Sequence, residues 1–125
     1  MTHVLLATDA DWIYDEVAAA VARPGTTVSR VHAGVEVAPT VAELEPDVVI
    51  LDLQIGNMGG AATCRHLRLE AGAGRLPDTR ILMLLDREVD VWLSAQAGAD
   101  AHLVKPLDSM KLRRAMLGLL AAEPV

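Results

Sequence analysis

Three side chains in this 125-residue sequence have the type and setting to act together: Asp9, Asp52 and Lys105. Each closes a short aliphatic run: Val4 to Ala7 ahead of Asp9, Val48 to Leu51 ahead of Asp52, and His102 to Val104 ahead of Lys105. A carboxylate at the end of such a run is costly to bury without a partner. Two of them about 5 Å apart would repel by roughly 3 kcal/mol at an effective dielectric near ~20. A divalent cation relieves that repulsion, and hard oxygen donors with positions left for water suit Mg²⁺. Lys105 relieves it as well, as a point charge able to bridge Asp52 or a phosphoryl group carried on it. The plainer alternative has two aspartates capping or ending loops in solvent and an exposed loop lysine. What decides between them is whether the fold gathers the three.

The pattern along the chain says that it does. Five apolar runs, Val4 to Ala7, Thr27 to Val31, Val48 to Leu53, Ile81 to Leu85 and His102 to Val104, alternate with helical patterns. Unbroken apolar character, rather than polar alternation, marks strands buried on both faces, with Val48 to Leu51 the central one. Helices are expected over residues 11–22, with Asp9 or Asp11 as cap and Pro24-Gly25 as stop, and over 39–45, with Pro39 at the first position. Further helices fit 60–70, 87–97 stopped by Gly98, and 107–121 starting near Asp108 or Ser109. Alternating strands and helices imply right-handed crossovers and a doubly wound α/β domain, a five-stranded parallel sheet with helices on both faces. Ligands in such sheets bind at the carboxyl ends of the strands, where the strand order reverses. Thr8, Asp9, Asp52, Leu85, Asp86 and Lys105 all fall at those ends.

Composition narrows the function. At 52% apolar residues the chain packs a core, and with no Phe that core is aliphatic, leaving Trp12, Trp92 and Tyr14 as the large rings. The net charge of −6 and the lack of a basic run exclude nucleic acid as a direct partner. Lys111, Arg113 and Arg114 read as a solvated helix face. Cys64 is the sole cysteine, so neither a disulfide framework nor a zinc spacing is present. Neither a signal peptide nor a membrane span is recognisable, and a cytoplasmic protein is expected.

Taken in order, His3 to Asp9, Pro46 to Asp52, Asn57-Met58-Gly59-Gly60, Ala97 to Asp100 and Leu103-Val104-Lys105-Pro106 resemble the CheY-like receiver domain of two-component response regulators. The resemblance covers essentially the whole chain, read as one receiver domain over 1–125 without an output domain. It implies a flavodoxin-like (βα)₅ fold and a signalling phosphoacceptor rather than an enzyme. Asp52 would be the phosphoacceptor, with Asp9, Asp52 and the backbone carbonyl of Gln54 holding Mg²⁺, and Lys105 pairing with the phosphoryl group. It further implies a histidine kinase or phosphotransfer protein as donor and a downstream protein as target. A homodimer is expected through the face formed by the fourth helix, fifth strand and fifth helix.

Four positions depart from the receiver pattern. Thr8 stands where an acidic residue is usual, so Mg²⁺ should bind more weakly. Leu85 stands where a Thr or Ser hydroxyl is usual at the end of the fourth strand, and the loop after it is about two residues short. Asp86 follows, with a charge that would repel a phosphoryl group if it faces the site. His102 occupies the place of the switch aromatic. In addition, Gly56 replaces a common Pro, which suggests a looser loop after Asp52 with Met58 packed beneath it. Trp92 is expected to lie mainly against the sheet, and Trp12 to sit half-exposed near the site.

Two functions remain open on the sequence. One is a stand-alone phosphoacceptor that signals by protein–protein contact. The other is a pseudo-receiver, a phosphorylation-independent interaction module in which the charged trio persists as a salt bridge. A flavin-binding domain of the same fold is disfavoured because Thr8-Asp9-Ala10-Asp11 is too acidic for a phosphate, and a cobalamin-binding one because no histidine stands beside an aspartate in a glycine-containing loop.

Overall fold

A computed structural model describes residues 1–121. Five strands, β1 (Thr2–Ala7), β2 (Thr26–Val31), β3 (Val48–Asp52), β4 (Arg80–Leu85) and β5 (Ala101–Val104), form one sheet of order β2-β1-β3-β4-β5. Every neighbouring pair is parallel. The chain steps outward from β1 to β2, then returns to place β3 on the other side of β1. That reversal opens a crevice at the carboxyl ends of β1 and β3, where Asp9 and Asp52 fall.

Side-chain alternation along the strands sorts the interior into two layers. Val4, Leu6, Val48, Ile50, Leu82 and Leu84 pack on one face with Ile13 and Val17 of α1 (Asp11–Val21) and Leu112 and Met116 of α5 (Ser109–Ala121). Leu5, Val49, Leu51, Ile81, Met83 and Leu85 pack on the other, with Val37 and Val41 of α2 (Val37–Leu44), Cys64 and Leu67 of α3 (Gly60–Gly72) and Ala97 of α4 (Val91–Ala97). Ile13, Val17, Ala20 and Val21 form the inward stripe of α1 at helical spacing. β1, β3 and β4 are buried on both faces as their sequences predict, whereas edge strands β2 and β5 are partly exposed. Among the described residues no helix is long and apolar enough to cross a membrane.

Several local expectations are corrected. Neither Asp9 nor Asp11 caps α1; its cap position is Ala10, with no side-chain bond, while Asp11 pairs with Arg30 at 2.8 Å. A 3₁₀ turn (Gly34–Glu36) precedes α2, so Pro39 is the third helical residue, still within the first turn, whose N–H groups lack intrahelical acceptors. Another 3₁₀ turn (Glu88–Asp90) precedes α4. Trp92 is not against the sheet: the inward residues of α4 are Ser94 and Ala97, while Val89, Trp92 and Gln96 share the outward face, with Val89 72% and Trp92 70% exposed. Trp12 is 51% exposed, so the two tryptophans lie outside the core. At α5 the choice falls on Asp108, whose carboxylate accepts from the Met110 and Lys111 N–H groups, which holds its pKa below the usual carboxylate value.

Two stability consequences follow from close packing. A Cβ on Gly34 would collide with the Met58 carbonyl, whereas one on Gly118 meets nothing within 4 Å. Gly34→Ala should lower stability by about 1–3 kcal/mol. Gly118→Ala, in the middle of α5, should raise it by about 0.5–1 kcal/mol, both read from urea unfolding. Burial pushes the Cys64 thiol up to about 11, against a lowering by Arg68. Alkylation at pH 8 should therefore proceed only as the protein unfolds, its rate tracking global opening in a denaturant series.

Candidate functional site

The site is built on the ends of four strands. Thr8 continues β1 with its N–H donated to Val31, and its fully buried hydroxyl donates to Asp52 Oδ2 at 2.8 Å. The same hydroxyl accepts from the Ala10 N–H at 3.1 Å, so Thr8 ties the start of α1 to the end of β3. Asp52, only 1% exposed, also accepts at Oδ1 from Lys105 Nζ at 2.8 Å and from the Gln54 N–H at 3.1 Å. A carboxylate taken from water at this depth is tolerable because three donors replace the water.

Lys105 is placed by β5. Its N–H donates to the Leu85 carbonyl, and the Lys105–Pro106 peptide bond is cis. Its ammonium reaches two carboxylates, Asp52 and Asp86 Oδ1, the latter at 3.0 Å. Burial works against the lysine's charge, but the hydrogen bonds to Asp52 and Asp86 outweigh it and raise its pKa above the ordinary value. Burial likewise opposes the charge on Asp86. The Lys105 and Gln54 side chains, followed by the field of Arg87, outweigh that and lower its pKa. Asp86 therefore does turn into the site, and its Oδ2 is closed off from water with no hydrogen-bond partner.

Asp9 is exposed, and its Oδ2 accepts from the Gly56 N–H at 3.2 Å. The loop that carries Gly56 is more firmly tied than a Gly in place of Pro suggests. Gly34 and Val35 donate to the Gly56 and Asn57 carbonyls, Gly60 donates to Leu53, and the Thr63 hydroxyl donates to the Met58 carbonyl. Asn57 and Met58 both have positive φ, 49° and 78°. Met58 is not packed beneath the loop but 38% exposed on it.

The fold thus gathers Thr8, Asp52, Gln54, Asp86 and Lys105 into one connected set, with Asp9 joined through Gly56. Leu85 is fully buried in the aliphatic layer with Met83 and Leu51, and it offers the site only its carbonyl, to Lys105. His102 is exposed on the edge strand, outside the set. Arg30 was not singled out by the sequence. Its Nε donates to the Thr8 carbonyl, and its guanidinium pairs with Asp11 and lies 5.3 Å from the Tyr14 ring centre, bracing β1 from the edge strand. A lone Arg in an edge strand carries no signal of that duty.

Residues 4–117 match the family model described as the response regulator receiver domain. The chain belongs to this family. It is 31% identical over 113 residues to the transcriptional regulatory protein CseB of Streptomyces avermitilis, covering 89% of this chain and 46% of that protein. It is 33% identical over 113 residues to the DNA-binding response regulator MtrA of Mycobacterium tuberculosis, covering 90% and 48%. The chain spans about half the length of these curated relatives. Among solved structures it is similar to a response regulator of Chloroflexus aurantiacus, with a TM-score of 0.87, 24% identity and coverage of 97% and 98%. The chemotaxis response regulator CheY4 of Vibrio cholerae gives 0.83 at 24% identity, covering 96% and 99%. The receiver domain of the sensor histidine kinase PA1611 of Pseudomonas aeruginosa gives 0.83 at 20%, covering 97% and 98%; that structure has a magnesium ion coordinated in its active-site cleft. The receiver fold, CheY-like and doubly wound, is thereby shown for this chain, and with it a place among two-component response regulators.

The energetics of this receiver site turn on Lys105. Removing it leaves the Asp52 and Asp86 carboxylates facing each other without a cation, so Lys105→Met should cost about 3 kcal/mol at pH 7 in urea unfolding. The sign with pH follows from the shifts. Asp86's lowered pKa gives stability present above the unfolded carboxylate value and lost as pH falls through the folded one. Lys105's raised pKa gives stability present below the unfolded lysine value and lost as pH rises through the folded one. The difference between wild type and Lys105→Met should stay level from about pH 5 to pH 9 and shrink outside it.

Proposed function

We propose that this receiver accepts a phosphoryl group on Asp52 and signals by protein–protein contact. The observation that supports it most is the Asp52 carboxylate itself, buried at the switch point of the sheet and held by an ammonium, a hydroxyl and a backbone N–H. A purely structural salt bridge has no need of the strand-order reversal; a nucleophile that must meet an incoming phosphoryl donor does.

In this reading an Asp52 oxygen attacks phosphorus in line while the bond to the donor's imidazole nitrogen breaks, leaving an acyl phosphate. Lys105 neutralises charge on the equatorial oxygens, a preorganised electrostatic contribution. The Gln54 N–H, already aimed at the carboxylate, holds it in register. Thr8 orients the same carboxylate through Oδ2 and adds no charge.

The donor set suits a hard divalent cation. Asp9, Asp52 and the Gln54 backbone carbonyl would hold Mg²⁺, and the ion would supply positive charge to the phosphoryl oxygens. Among the described residues no group of three or more acidic, His or Cys side chains is placed to hold a metal. Two carboxylates and a carbonyl would leave half of an octahedral shell to other oxygens, and binding weaker than in an acid-paired site is expected.

The donor is a histidine kinase or phosphotransfer protein, and the receiver is a phosphoacceptor rather than an enzyme with turnover of its own. Its output passes to a protein target or a second copy, through the face of α4, β5 and α5. A second reading, the phosphorylation-independent module, draws on Leu85: at the end of β4 a fully buried aliphatic side chain stands where a hydroxyl would reach a phosphoryl oxygen.

Intact mass after acetyl phosphate with Mg²⁺, and Trp12 fluorescence with beryllofluoride, discriminate the two readings. The phosphoacceptor should gain one phosphoryl mass and a saturable fluorescence change, and Asp52→Asn should show neither. A wild type that is folded and silent in both measurements at millimolar Mg²⁺ leaves the interaction module.

A further inference from the structure

Asp86 is the first residue past β4, beside the position where Leu85 contributes no hydroxyl. Its Oδ1 takes one of the three hydrogens of Lys105 Nζ at 3.0 Å, while Asp52 takes another at 2.8 Å. Its Oδ2 takes none, although it is shut away from solvent. The Gln54 side chain favours its charge, but the only well-formed hydrogen bond that Asp86 accepts is the one from the ammonium that Asp52 also uses. Arg87 favours that charge only through its field, because the guanidinium is paired with Asp90 at 3.2 Å. Asp52 and Asp86 thus set two carboxylates on a single ammonium.

The geometry points to Asp86 as a built-in competitor for Lys105. On a phosphorylated Asp52 the phosphoryl oxygens need that ammonium, and they add negative charge on the side where Asp86 already stands. The phosphoryl group is then accommodated only as Lys105 shifts from Asp86 toward it, or as Asp86 swings out. Asp86 is a positioning residue in this scheme: it acts through Lys105, favours the unmodified state, and lowers the fraction of receiver that stays phosphorylated. The inference deepens the phosphoacceptor reading and rests on it.

Asp86→Asn keeps the size and an acceptor for Lys105 but removes the charge, and Asp86→Ala removes both. At Mg²⁺ concentrations shown to saturate each protein, beryllofluoride is titrated against wild type, both variants and the Asp52→Asn/Asp86→Asn double variant. The readouts are Trp12 fluorescence and the ¹⁹F signal of bound beryllofluoride. The single variants should bind roughly tenfold more tightly than wild type, the effect of one like charge a few ångströms away, and the double variant should not bind. Steady-state phosphorylation by acetyl phosphate should rise with the affinity. A gain of affinity cannot come from partial unfolding, and if Asp86→Asn does not fold, Asp86→Ala carries the comparison. Binding by the variants where wild type shows none also supports the inference. Wild-type binding that the variants merely match or fall below overturns it and leaves the phosphoacceptor reading intact. Silence from every protein, all folded, overturns both.

Discussion

Everything at the functional end of this molecule depends on keeping one carboxylate, that of Asp52, ionised and out of water at the end of an aliphatic strand. An isolated charge there would be prohibitively costly, so its neighbours must supply donors in fixed places. β1 supplies the Thr8 hydroxyl, the turn after β3 supplies the Gln54 N–H, and β5 supplies the Lys105 ammonium. Each donor comes from a different part of the chain, and the parallel register of β1, β3, β4 and β5 brings them to the same level. The sheet order lets that one requirement be met from several directions.

Further supports become intelligible in that light. Arg30 on edge strand β2 braces the Thr8 carbonyl, so even the far strand contributes to where the hydroxyl points. The loop after β3 is stitched to the turn before α2 by the Gly34 and Val35 N–H groups, and Gly34 must lack a side chain for the two loops to come that close. Gly60 serves the same end on the other side, where a Cβ would press to 2.6 Å from the Asp52 carbonyl.

Much of this was legible in the sequence, for a definite reason. Val48 to Leu51 announces a strand buried on both faces because the run is short, rich in β-branched residues and bounded by Asp47 and Asp52. Once five such runs are in order, the strand-end rule selects Thr8, Asp9, Asp52, Leu85, Asp86 and Lys105, and charge singles out the aspartates and the lysine. What was not legible depends on single torsions and on turns. The two 3₁₀ turns delay α2 and α4, and the spacing of Val89, Trp92 and Gln96 defines one helix face without telling whether that face meets the sheet or the solvent. Asp86 lies one residue beyond a strand, where the chain can turn either way, and nothing local says that it turns toward Lys105. The Thr8 hydroxyl could equally have faced water. Its bond to Asp52 appears only when β1 and β3 are set side by side.

The interior of this protein contains no aromatic ring. Among the described residues its two layers are filled by Val, Leu, Ile, Met, Ala and Cys64, while Trp12 and Trp92 stand outside and Tyr14 packs at the margin of one layer beneath Arg30. Optically the core is therefore dark. Near-ultraviolet dichroism and intrinsic fluorescence see the rim of the crevice and the back of α4, not the packing that holds the sheet between its helices. A change in those signals can therefore arise at the surface alone, and dissolution of the core is followed more directly through the backbone, by amide absorption or by hydrogen exchange.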